Sequence, residues 1–141
     1  MDKALNYLAL GRKAGRIELG EEPVGAAARA VKAWLVVVAS DASDHTWRRA
    51  KSFVAGTNQQ CIRVPFTKDE MGFVTGRTSL AIAAFTDVAM ALAFVKALDG
   101  DHAEIRNALE ERTKRVRQRQ SEEKAHQRNK RVGKPRRGVK Q

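Results

Sequence analysis

The sequence predicts an α/β protein with helices on both faces of a small sheet, followed by a polar helix and a basic, disordered tail. Three observations carry this prediction. Apolar runs at Ile17–Leu19, Trp34–Ala39, Cys61–Val64 and Leu80–Phe85 alternate with stretches of helical periodicity, the pattern of strands covered by helices. The run Trp34-Leu35-Val36-Val37-Val38-Ala39 is apolar throughout, as in a strand buried on both faces. From Asp99 onward large apolar residues become scarce, and after Leu109 only Val116, Val132 and Val139 remain.

The elements follow in order. Residues 3 to 13 place Ala4, Leu5, Leu8 and Leu10 on one helical face and end in basic residues before Gly15. Ile17–Leu19 is a short strand. Gly20 begins a second helix with Glu21, Glu22 and Pro23 in its first turn, where acids suit the dipole and proline is tolerated. Its face is rich in alanine (Ala26, Ala27, Ala28, Ala30). After the valine strand, Ser40-Asp41-Ala42-Ser43 caps a third helix over 44–55, and Gly56-Thr57-Asn58 is a turn. Pro65 stops the next strand. Thr67 with Glu70 forms a capping box for a short helix, which Gly72 to Gly76 terminates. Thr86-Asp87 caps a helix over 88–98. A second capping box, Asp101 with Glu104, opens the C-terminal helix, which carries Ile105, Ala108 and Leu109 at helical spacing. The predicted division is therefore a 1–98 domain, a 99–130 helix that frays by about residue 130, and a 131–141 tail.

Charge is distributed unevenly. The chain has 27 Lys+Arg and 16 Asp+Glu, for a net charge of +11. Residues 112–141 contain 13 of the basic residues and only two acids, Glu122 and Glu123. Residues 1–111 hold 14 of each sign and are neutral. The cations Arg112, Lys114, Arg115, Arg117, Arg119, Lys130, Arg131, Lys134, Arg136, Arg137 and Lys140 suit phosphate binding with steep salt dependence. No aromatic residue stands among them to stack on a base, so they hold backbone without reading sequence.

Several classes are excluded. A single cysteine, Cys61, rules out an internal disulfide and a Cys-cluster zinc site, and His45, His102 and His126 lie too far apart for ligand spacing. No metal or cofactor is expected. The N-terminus lacks the apolar core of a signal peptide. Leu80–Val95 is too short to span a membrane and carries Asp87. Ser40, Asp41, Asp44 and His45 fall within one loop and cannot converge as a triad; they read as helix capping. Asp69 and Glu70 likewise read as a first helical turn. Gly72–Gly76 lacks the spacing of a phosphate loop, but with Arg77, Thr78 and Ser79 it makes a loop that could meet a ligand. Trp34 reads as core, and Trp47 as half exposed beside a small basic patch of His45, Arg48 and Arg49.

The run LALGRKAGRIELGEE (Leu8–Glu22), the run KAWLVVVASDAS (Lys32–Ser43), the Gly20-to-Ala33 spacing and Thr86-Asp87 together resemble one family. They are similar to the short bacterial members of the kink-turn-binding ribosomal protein superfamily, which includes the archaeal L-seven-Ae and eukaryotic thirty-e ribosomal proteins. The resemblance covers residues 2–98. It implies a three-layer α/β/α sandwich with a small mixed sheet, which grips the bent internal loop of a kink-turn RNA. The start of the second helix would contact tandem G·A pairs, and the loop before the last strand would cover the bulge. The family's helix-start pattern is glycine, any residue, asparagine, glutamate, two residues, lysine. Here Gly20 keeps the glycine, while Glu22, Pro23 and Ala26 replace the other three. The loop contribution falls on Gly76, Arg77, Thr78 and Ser79. Ala26 brings no cation, and Glu21 with Glu22 repels phosphate. A carboxylate still accepts hydrogen bonds from guanine's amino group, so Glu22 suits a base edge. Arg29, a turn beyond position 26, or Arg12, Lys13 and Arg16 would supply positive charge.

The resulting expectation is a non-catalytic, cytoplasmic, monomeric RNA-binding protein, associated with the ribosome or translation factors and independent of membranes. Two alternatives share the fold. One is a protein-interaction module with tail-driven RNA contact, and the other a non-catalytic partner of an RNA-modifying enzyme. About 40 residues beyond the domain are too few for a catalytic domain.

Overall fold

A computed structural model describes the backbone of residues 2–139 and the side chains of residues 2–128. The elements are α1 (Lys3–Ala14), β1 (Ile17–Leu19), α2 (Glu21–Arg29), β2 (Leu35–Val38), α3 (Asp44–Val54), β3 (Gln60–Arg63), α4 (Lys68–Thr75), β4 (Ile82–Phe85), α5 (Val88–Ala97) and α6 (Ala103–Val139). Four strands form one mixed sheet in the order β1-β4-β2-β3. Strand β4 is antiparallel to both β1 and β2, and β2 is parallel to β3. The central strands β2 and β4 are buried at every residue, whereas the edges β1 and β3 are part exposed. Helices α2 and α3 pack together against β1, β2, β3 and β4, and α1 packs with α4 and α5 as the other helical layer. This is the expected α/β/α sandwich.

The helix faces refine the sequence reading. In α1 the buried positions are Ala4, Leu5, Leu8 and Gly11, while Leu10 is 42% exposed. The spacing of 3.6 residues per turn carries the stripe from position 8 to 11. A glycine serves there because any Cβ would stand 3.3 Å from Ile17, Phe85 and Met90. In α2 the buried face is Val24, Gly25 and Ala28, whereas Ala26 and Ala30 are exposed. The run of alanines implies a broader face than the packing uses. Gly72 to Thr75 belong to α4 itself, and the element ends only at Gly76, which adopts the left-handed cap conformation. Two capping predictions hold in detail: Ser43 accepts the Thr46 N–H, and Thr67 with Glu70 makes both bonds of a capping box. Of the Asp101–Glu104 box only the aspartate half is present among the described residues: α6 starts at Ala103, whose N–H Asp101 accepts at 3.0 Å.

The chain divides into two compact units, Met1–Leu109 and Glu110–Gln141. The first includes Ile105 and the buried Leu109 in its core, so it takes in the first turns of α6. In the second unit the helix is assigned as far as Val139, past the fraying point expected from its polarity. Its Glu, Lys, Arg and Gln residues are good helix formers even without an apolar face. The segment 131–141 expected to be disordered lies outside the described side chains, as do the candidate contacts Lys130, Arg131, Lys134, Arg136 and Arg137. Lys140 lies outside the described residues altogether.

Candidate nucleic-acid interface

Because β1, β2 and β3 run the same way, their C-terminal ends share one end of the sheet. The register shows it: Leu19 lies opposite Ala83, Val38 opposite Ile82, and Arg63 opposite Val38. Helices α2, α3 and α4 therefore all begin at this end, and ligands of open α/β sheets bind at such carboxyl ends. The connecting loops are tied together by backbone hydrogen bonds. Gly20 N–H donates to the Ile82 carbonyl (3.0 Å), Ala39 N–H to Ala81 (2.9 Å), Ser40 N–H to Phe66 (2.8 Å) and Leu80 N–H to Lys68 (3.0 Å). Asp41 adds a side-chain tie by accepting the Lys68 N–H at 2.8 Å. These bonds make the loop end a single supported surface.

The expected site residues meet there from three stretches of sequence. Gly20 is the N-cap of α2 with φ 97° and ψ 160°, a conformation open to glycine at little cost. Arg77 Nη1 lies 3.7 Å from where a Gly20 Cβ would stand, and the Arg12 Cζ lies 3.3 Å from the corresponding point on Gly76. The end of α1, the start of α2 and the α4–β4 turn are thus adjacent. Arg12, Lys13, Arg77, Thr78 and Ser79 are all exposed. Glu21 and Glu22 are exposed in the first turn of α2, whose N-cap makes no side-chain hydrogen bond.

Two expected cations are placed differently. Arg16 is paired with Asp87 at 3.0 Å, while Asp87 also caps α5 by accepting the Met90 N–H. Both partners are partly exposed, so the pair contributes about 0–1 kcal/mol. It does, however, anchor Arg16 away from the start of α2, which makes Thr86-Asp87 a structural motif here. Arg29 occupies the last turn of α2, at the opposite end from Gly20, with its Nη1 near Gly25.

The sequence reading missed Arg49 as a site residue. Its Nε stands 3.6 Å from Glu21 Oε2, and its guanidinium lies 5.0 Å from the Phe53 ring centroid. Arg49 thereby offsets one of the two carboxylates that otherwise repel phosphate at the start of α2. The Arg48-Arg49 pair was visible as a basic patch. That α3 packs beside α2 was not. Among the described residues no three His, Cys, Asp or Glu side chains group as metal ligands, and no helix is long and apolar enough to cross a membrane.

No family model matches the chain, and no curated protein matches it. Among solved structures it is similar to a protein of unknown function from Bacillus halodurans C. That likeness has a TM-score of 0.65 at 22% identity and covers 71% of this chain and 100% of that one. It is also similar to the Giardia lamblia 15.5kD RNA binding protein, with a TM-score of 0.50 at 18% identity, covering 66% of this chain and 79% of that one. At these identities the likenesses establish a shared fold.

Proposed function

We propose that the chain is a non-catalytic RNA-binding protein that takes a bent, kink-turn-like RNA at the loop end of its sheet and acts with the ribosome or translation factors. The observation that carries this reading is the convergence of Arg12, Gly20, Gly76 and Arg77 from three separate segments onto one supported surface. Two exposed guanidinium groups there suit phosphates, and the exposed Glu22 suits a guanine amino edge. The fold shared with an RNA-binding protein of Giardia lamblia supports the reading. The basic C-terminal segment adds affinity for backbone without selecting sequence.

Gel-shift titrations of full-length protein and a 1–111 truncation, which keeps Leu109, test the proposal. With kink-turn RNA and a variant whose G·A pairs are disrupted, both proteins should prefer the intact RNA by about tenfold or more, or ~1.4 kcal/mol. Equal binding of both RNAs by the full-length chain, with none by the truncation, would refute selectivity in the folded unit.

One feature favours a second reading, a protein-interaction module. Phe73 on α4 is 80% exposed beside a groove of about 540 Å³ lined by Leu5, Asp69, Glu70 and Val74. Aromatic residues are enriched in the cores of protein–protein interfaces. Complexes held by such an apolar contact should persist at high salt, whereas tail-held RNA should dissociate.

A further inference from the structure

A neutral unit can still concentrate charge locally, and the α3–β3 region does so. Residues 44–64 contain Arg48, Arg49, Lys51 and Arg63 against one acid, Asp44. Arg49 is committed to Glu21. Arg63 and Lys51 are held in another way: the Arg63 Cζ stands 5.1 Å, and the Lys51 Nζ 5.6 Å, from the centroid of the Trp47 ring. Both residues are exposed, and among the described residues neither forms an ion pair with a carboxylate.

That difference has chemical consequences. A carboxylate would position each cation while cancelling its charge. An aromatic face positions a cation through its quadrupole and leaves the charge and the outward N–H donors available. Trp47 thus keeps a guanidinium fork and an ammonium point charge near each other and undiminished. That pairing suits neighbouring phosphates, the fork taking two oxygens of one and the ammonium an oxygen of the next. Burial pushes the Cys61 thiol up to about 12, and Lys51 and Arg63 both pull against that rise, which locates the two charges around the same stretch of β3. Arg63 is also the last residue of β3 and so lies at the sheet end where the candidate interface is built.

We infer that Trp47, Lys51 and Arg63 form a second phosphate site, which binds the sugar–phosphate backbone of RNA flanking the bent loop. This inference rests on the proposed RNA function and extends its footprint along α3. The site adds local charge that the net balance of residues 1–111 conceals.

The test is a salt titration of full-length protein with kink-turn RNA carrying a long flanking stem, repeated with the stem shortened. Lys51→Gln with Arg63→Gln should lose about tenfold in affinity at low salt, and its salt slope should shrink by roughly 0.7–0.9 for each phosphate that is no longer neutralised. Trp47→Leu should lose part of the affinity with both charges intact; Trp47→Phe is the substitute should that variant fail to fold. A control, Lys3→Gln with Lys96→Gln, removes the same charge from exposed positions on α1 and α5 and should stay within about twofold of wild type. Shortening the stem should erase the difference between wild type and the Lys51/Arg63 variant. Equal losses in that variant and the control, or a difference that survives the short stem, overturn the second site and leave the RNA reading intact. Wild-type protein that binds neither RNA overturns the RNA reading itself.

Discussion

Val31 holds φ 56° immediately after α2, with its N–H on the Ala28 carbonyl and the Lys32 N–H on the Ala27 carbonyl. These paired bonds form a Schellman helix end, whose left-handed position is usually glycine. A β-branched residue there costs roughly 1–2 kcal/mol, and Val31, at 44% exposed, recovers little by burial. Val31→Gly is therefore expected to raise stability by about 1 kcal/mol, and the melting temperature by roughly 3–5 °C, after the added chain entropy of glycine is deducted. A thermal melt with no rise would contradict this. Gln59 shows what residue patterns leave out. It is 3% exposed, its Oε1 accepts the Ala33 N–H at 2.8 Å, and its Nε2 donates to Thr57 Oγ1 at 3.0 Å. In the sequence it is one more polar residue after a turn. Only the pairing of β3 beside β2 carries it inward to the backbone it satisfies.

Among the elements, α4 and the turn after it bear most directly on the site. A Cβ on Gly72 would stand 2.8 Å from the Arg77 carbonyl oxygen and 2.9 Å from the Ser79 nitrogen. Both are backbone atoms and cannot swing aside. Gly72→Ala is expected to cost about 1–3 kcal/mol through this overpacking and to displace Arg77 from Gly20. Denaturant melts and RNA titrations should show both losses; full RNA affinity in a destabilised Gly72→Ala protein would remove Arg77 from the interface. The existence and order of the elements were legible, because capping residues such as Ser43, Thr67 and Asp87 mark helix starts locally. The role of Gly72 was not, since a glycine demanded by close packing looks the same in sequence as one that ends a helix.

For the whole molecule the question is where affinity and selectivity reside. The 13 basic residues of 112–141, against two acids, account for the entire net charge. Deleting that segment should lower RNA affinity at low salt and flatten the salt dependence, by about 0.7–0.9 for each phosphate the segment neutralises. An unchanged slope would place phosphate binding in the folded unit instead. Local pattern was enough to define the α/β class, most helix starts, the burial of β2 and this division of charge. Each depends on residues near one another in the chain. The interface depended on tertiary structure, because Arg12, Gly20 and Arg77 become neighbours only when β1 and β2 flank β4. The same packing ties Arg16 to Asp87, sets Arg49 against Glu21 and holds Lys51 and Arg63 on Trp47. Charge counted along a chain is a sum, whereas recognition depends on which charges stand together and which are already paired.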